Sequence, residues 1–252
     1  MTLRTLLIAL LAPALIAAAP PQLVPDVSQR RIDIIYSFTG AQLLLFGAIL
    51  YPGGRRPDRP VDIAVVLRGP VEPIIVREKR KIAGVWINAE QAYFRSAPSF
   101  YVLAASRPIK GLVDERTAAI YELGVDNLQL SPASLSSAAE QKRAEAGLID
   151  VMRRDGFYVE DGEGVEISER VLYRATIDIP ARVPVGRYTA ETFLIQDGRV
   201  LAAAVREVEI EKSGFERFVA AAANQHPFLY GLCGVIIPLL FGFAASAIFR
   251  RR

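Results

Sequence analysis

With one cysteine and one histidine in 252 residues, the chain cannot close an internal disulfide, nor assemble a four-ligand zinc site of the usual His/Cys type. A surplus of positive charge is also missing. Lys and Arg number 30 against 27 Asp and Glu, but Arg4 lies at the extreme N-terminus and Arg250, Arg251 and Arg252 at the extreme C-terminus. Setting those four aside leaves 26 basic groups against 27 acidic ones. Nucleic-acid binding draws its affinity from such a surplus, so no nucleic acid is expected as a partner. No serine sits in a G-x-S-x-G elbow, and no phosphate loop or dinucleotide fingerprint follows a strand. The carboxylate pairs Asp114/Glu115 and Asp161/Glu163 fall in polar loops, and His226 is the sole imidazole. The expectation is therefore a protein that is not an enzyme, with no cofactor and no metal. What the chain has in quantity is apolar residues, 52% of the total, too many for a disordered tail.

The apolar residues concentrate first at the two ends. Residues 1–19 read as a secretory signal peptide: Arg4 supplies the positive start, residues 6–16 an apolar stretch broken by Pro13, and Ala17, Ala18 and Ala19 a small-residue cleavage region. Pro20 directly after Ala19 disfavours a cut there, so cleavage and an uncleaved N-terminal anchor both stay open. Residues 227–249 carry no charge at all. As a helix rising about 1.5 Å per residue they measure roughly 34 Å, enough to cross a hydrocarbon core of ~30 Å. The three arginines at 250–252 form a cytoplasmic tail, since positive charge beyond a span marks the inner side. The expected topology is single-pass in the bacterial inner membrane, with the body in the periplasm. Inside the span, Pro238 is a potential kink, and Gly242 with Ser246 forms a small-xxx-small pair suited to helix association. Cys233 reads as a small apolar filler, and His226 as an interfacial polar residue.

The body, residues 22–212, consists of short runs of β-branched and aromatic residues punctuated by Gly, Pro and charge. That pattern predicts a mainly β, immunoglobulin-like antiparallel β-sandwich. Residues 31–38 and 41–50, joined by Thr39-Gly40, read as a hairpin; 61–67 reads as a near-continuous apolar strand stopped by Gly69-Pro70. Residues 74–77 and 84–88 read as two strands joined by the polar connection Glu78-Lys79-Arg80-Lys81, and 100–105 as a strand. Strands resume at 170–179, 186–195 and 200–210, with Asp197-Gly198 turning between the last two and Tyr188, Ala190, Thr192 and Leu194 pointing inward. Between them a helical insertion spans about 114–156. Residues 134–154 have the spacing of an amphipathic helix, with a start at Ser131, Ser134 or Ser137, the last forming a capping box with Glu140. Residues 114–123 read as a shorter helix ending at Gly124. The insertion is expected to pack on an edge or end of the sandwich. Residues 213–225 read as a juxtamembrane helix.

The best local candidate for recognition is Arg77, Lys79, Trp86, Asn88 and Arg95. Basic groups there can hold an anion, with Trp86 and Tyr93 as an apolar wall. The competing reading is a solvated charged hairpin with Trp86, between Val85 and Ile87, as a core strand residue.

The ordered elements Phe46-Gly47, Val65-Val66-Leu67-Arg68-Gly69-Pro70, Val76-Arg77-Glu78-Lys79, Ala83-Gly84-Val85-Trp86-Ile87-Asn88 and Pro98-Ser99-Phe100-Tyr101 closely resemble the alphaproteobacterial putative transmembrane protein family. Pro184-Val185-Gly186-Arg187-Tyr188 and Tyr230-Gly231 fit it as well. The resemblance covers nearly the whole chain and implies a signal segment, a periplasmic body and a C-terminal span, with no catalytic residue to carry over. By association it points to an accessory of an integral membrane partner such as a sulfite-exporter-type permease. One span cannot itself enclose a pathway. The leading expectation is thus a membrane-anchored binding or assembly module acting with an inner-membrane partner and bilayer lipid. A periplasmic sensor or carrier of a small anion, held by Arg77, Lys79 and Arg95, is the alternative.

Overall fold

The computed structural model describes residues 20–34, 39–54, 59–133, 137–212 and 215–249. The signal-peptide reading of residues 1–19 and the tail at 250–252 lie outside them. In chain order the elements are β1 Gln22–Val27, β2 Arg31–Ile34, β3 Gly40–Leu50, β4 Asp62–Arg68, β5 Val71–Ile82, β6 Val85–Pro98 and β7 Tyr101–Ala105. Two short helices follow, α1 Ile109–Leu112 and α2 Glu115–Ile120, then β8 Pro132–Ala133 and the long helix α3 Ala138–Arg154. The chain finishes with β9 Tyr158–Asp161, β10 Val165–Ser168, β11 Leu172–Pro180, β12 Gly186–Gln196, β13 Arg199–Lys212, α4 Phe215–Gln225 and α5 Pro227–Phe249.

The protein is mainly β. One sheet has the order β1-β3-β11-β10 and is antiparallel throughout; a second has the order β2-β13-β12-β4-β7-β9. The two stack face to face. Strand alternation supplies the core between them: Tyr173, Ala175, Ile177 and Ile179 of β11 point inward while Arg174, Thr176 and Asp178 point to solvent. Leu43, Leu45 and Ile49 of β3 meet Ile63, Val65 and Leu67 of β4 and Tyr188, Ala190 and Leu194 of β12 in the same cluster.

The centre of the larger sheet, β4 and β7, is buried on both faces. All five residues of β7 and the five central residues of β4 are buried, which is why their sequences lack polar alternation. Ala64, Val66, Tyr101, Leu103, Ala105, Phe193 and Ile195 form a second core on its far side with Leu112 of α1 and with Leu123, Leu148 and Met152 of the helical insertion. The insertion therefore covers a sheet face rather than an edge or end of the sandwich. Its helices follow their local signals. Ser137 Oγ accepts from Glu140 N–H at 3.2 Å to cap α3, and Asp114 accepts from Thr117 N–H at 2.8 Å to cap α2.

Two sequence expectations fail on pairing. Of the expected hairpin of 31–38 with 41–50, residues 35–38 lie outside the described ones, and the described strands do not pair with each other: β2 pairs parallel with β13 in the larger sheet, while β3 lies between β1 and β11 in the smaller one. Both edges of β3 are taken by strands with longer matching runs. The charged run 78–81 is also no connection. It lies within β5, and the turn is Ala83-Gly84, with φ of 50° and 88°. That pair of positive dihedrals is what a two-residue hairpin turn with the right twist requires.

β5 and β6 prolong the β4–β7 pair past its end. Gly69 N–H donates to Phe100 O at 2.8 Å and Ser99 N–H to Pro70 O at 2.9 Å, bridging Arg68↔Tyr101 and Val71↔Pro98 into one ribbon. Its root, through Ile74, Val76, Ala92 and Phe94, packs into the second core; residues 77–88 are exposed. The last helix, α5, is long and apolar enough to cross a membrane, and none of its best stretch, Pro227–Ser246, is buried against the protein.

Candidate functional site

The root of the β5–β6 ribbon lies over α3, and between them opens a groove of about 1010 Å³. Val76 and Ala92 from the ribbon, with Ala144 and Val151 from α3, give it apolar patches; Arg77, Lys79 and Trp86 line it from the ribbon side. The α3 side follows from helical spacing. Leu148 and Met152 are buried in the second core, so Arg143, Gly147, Asp150, Val151 and Arg154, one to two turns apart, flank the groove.

Both charge signs are present. Glu78, Glu90, Glu140 and Asp150 share the lining with Arg77, Lys79, Arg143 and Arg154. Arg143 approaches Glu90 at 3.5 Å, and Arg154 pairs with Asp150. Arg80 donates to Glu90 at 2.8 Å and stands 3.5 Å from Glu78; the Glu90 hydrogen bond and charge hold its guanidinium above the ordinary arginine value. All these groups are largely solvated, so each pair contributes little to stability. Their effect is to make the groove a mixed-charge surface with apolar strips.

Of the residues singled out from sequence, Arg77, Lys79 and Trp86 come together here. Asn88 is opposite Lys79 and is exposed. Arg95 does not line the groove; it lies beside the β6–β8 pairing, where its backbone N–H donates to Ser131 O at 3.0 Å. Trp86 is 65% exposed and is not a core residue: the rungs around it lie beyond the part of the ribbon that reaches the second core. Gly242 and Ser246 are one turn apart on α5, both exposed. The α3 contribution was missed in the sequence, although the polar face of a helix with a known buried stripe is itself a signal of what can flank a cleft.

The carboxylate pairs have local structural roles. Asp161 accepts from Glu163 N–H at 2.9 Å in a loop, and Asp114 is the α2 cap, where the Thr117 hydroxyl and then its backbone N–H hold the carboxyl below its ordinary value. On the larger sheet's outer face, at the end of β4 from which the ribbon springs, Arg68 binds Glu122 at 2.6 Å and the Tyr121 carbonyl at 3.2 Å, with Glu191 at 3.6 Å. That cluster ties the helical layer to β4 and β12.

A family model described as "Putative transmembrane protein (Alph_Pro_TM)" matches residues 22–251. No curated protein matches the chain. Among solved structures, the sporulation control protein Spo0M from Bacillus subtilis aligns with a TM-score of 0.33 and 10% sequence identity, over 82% of this chain and 56% of that one.

Proposed function

The chain belongs to this transmembrane protein family, and from that membership we propose a membrane-anchored binding module that acts with an integral partner of the bacterial inner membrane. The body is held at the periplasmic face by α5, with the arginines at 250–252 on the cytoplasmic side. The signal-like residues 1–19 and the positive charge directly beyond the span support this orientation. The partner class suggested by the family resemblance is a permease, for which this chain is an accessory with no chemical step of its own.

The observation that carries the reading is the open groove between the ribbon and α3. Mixed charge around apolar strips suits an extramembrane segment of a protein better than a small anion, because Arg143 and Arg154 are engaged by Glu90 and Asp150 and two further carboxylates, Glu78 and Glu140, share the lining. A tether confines both partners to one bilayer, so even a weak groove contact becomes well populated. A photocrosslinker placed at Gln91 or Val151 in intact cells should capture one and the same integral membrane protein, and a crosslinker at Gln42 on the other sheet should not. Capture of nothing from either groove position, or the same capture from Gln42, would sink the proposal. A periplasmic reporter fused after Lys212 tests the orientation separately.

A further inference from the structure

The far end of the β5–β6 ribbon, whose Lys79 and Trp86 also border the groove, has a composition that solvated hairpin tips avoid. The three rungs behind the turn pair Ile82 with Val85, Lys81 with Trp86 and Arg80 with Ile87. Opposed residues share a face and successive rungs alternate, so Trp86 stands on one face, and Ile82, Val85 and Ile87 on the other. Their exposures are 51% for Ile82, 62% for Val85, 65% for Trp86 and 43% for Ile87. A partner protein's flat surface covers one face of a ribbon; a fluid apolar medium wets both.

Charge selects the kind of medium. From 79 to 89 the ribbon carries Lys79, Arg80 and Lys81 and no carboxylate. Arg80 is held by Glu90 and Glu78, while among the described residues neither lysine makes an ion pair. Lysine and arginine stems can lie along apolar groups while their heads reach back to phosphate. The ribbon is also rooted where the anchor leaves the body. Arg68, the last residue of β4, stands opposite Thr189, which stands opposite Glu207, and from there β13 runs parallel to β4 out to Lys212 and on to α4 and α5.

We propose that the tip, residues 82–87, docks in the headgroup region of the anionic bilayer that holds α5, with Trp86 at the polar–apolar boundary and Lys79 and Lys81 on lipid phosphates. Tryptophan concentrates at this depth in membrane proteins. Penetration stops there, because a two-stranded ribbon has unpaired edge N–H and C=O groups that hydrocarbon cannot satisfy. The body is then held at two points, the span and the tip, which restricts its rotation over the bilayer.

Trp86 is the sole tryptophan, so its fluorescence in the full chain reports the tip alone. The chain is reconstituted into phosphatidylcholine vesicles with or without phosphatidylglycerol. With phosphatidylglycerol, Trp86 emission shifts to the blue and is quenched more by lipid brominated near the acyl carbonyl than by lipid brominated near the chain end. Lys79→Gln and Lys81→Gln, both exposed substitutions, each lower the docked-to-free ratio about fivefold. Solvated emission in phosphatidylglycerol vesicles overturns the proposal. So does protection of Trp86 that appears only when a second protein copurifies, which would make the tip a protein contact.

Discussion

Replacing Tyr101 by Phe tests whether the helical layer is held to the larger sheet by the hydroxyl at the start of β7. Tyr101 is fully buried. Its hydroxyl donates to Glu122 O at 2.8 Å and accepts from Gly124 N–H at 2.9 Å, and its ring stands edge-on to Tyr158 with centroids 6.2 Å apart. Glu122 and Gly124 have φ of 50° and 106°, so the backbone reverses here and offers these groups no helical partner. The Phe variant keeps the ring contact and leaves the buried Gly124 N–H orphaned. An unsatisfied buried donor costs about 1–3 kcal/mol, and adding the weaker loss at the Glu122 carbonyl brings the total to about 2–4 kcal/mol. Tyr158→Phe is the internal comparison. Its hydroxyl donates only to Pro98 O at 2.7 Å, and a carbonyl left without that donor is better tolerated than an N–H, so about 1 kcal/mol is expected. Thermal unfolding of the full chain in mild detergent, followed by far-ultraviolet circular dichroism, gives both values; hydrogen exchange at 121–125 shows where the loss falls. A Tyr101→Phe effect within ~0.5 kcal/mol of wild type, the size of an ordinary surface change, refutes the reasoning. An effect no larger than that of Tyr158→Phe does so too.

Burial raises the hydroxyl pKa of Tyr101, Tyr158 and Tyr188 above the ordinary value. The folded state thus favours the neutral phenols: their contribution is intact below about pH 10 and is lost as pH rises further, when the unfolded chain ionises first. Melting temperatures measured from neutral pH upward should show a decline setting in near that value, and a flat profile well beyond it would contradict this. Two glycine substitutions should have opposite signs. At Gly69 a Cβ would lie 2.8 Å from Ser99 Oγ, 2.9 Å from Phe100 Cβ and 3.0 Å from Tyr188 Cε1, so Gly69→Ala should destabilise by about 1–3 kcal/mol through overpacking where β4 passes into the ribbon. At Gly147, inside α3 with open space around it, Gly147→Ala should stabilise by about 0.5–1 kcal/mol, and equal signs in the same melting assay would discount the packing argument. A chain ending at Lys212 should leave the membrane fraction after a high-salt wash, since α5 supplies the span; retention would show that something other than this helix anchors the protein.

What could be read from the sequence were the features decided within a few residues. Ser137 with Glu140 is one of three starts that local pattern offers α3, with Ser131 and Ser134, and the one the structure uses; Asp197-Gly198 marks the turn before β13, and the alternation from Tyr188 to Leu194 the inward face of β12. The absence of any charge from 227 to 249 marks α5 as a span, because the thickness of the hydrocarbon core sets the length required. The candidate site was legible by halves. The ribbon's share, Arg77, Lys79 and Trp86, stood out by composition, but the half supplied by α3 lies some sixty positions along the chain.

By itself, then, the sequence determined a β-rich body, one helical insertion and an apolar C-terminal helix, since period, caps and hydrophobic length are properties of neighbouring residues. Only the tertiary structure decided which strand joined which sheet. Residues 31–34 and 40–50 separated into different sheets because the edges open to each depended on β1, β11 and β13, strands that local pattern cannot locate. It likewise decided that β4 and β7 would be covered on both faces, that Trp86 would stand outside every core, and that a ribbon and a helix distant in sequence would face each other across a groove. A residue's neighbours along the chain set its preferred backbone form, but burial and contact depend on the surfaces left after all the other elements have paired.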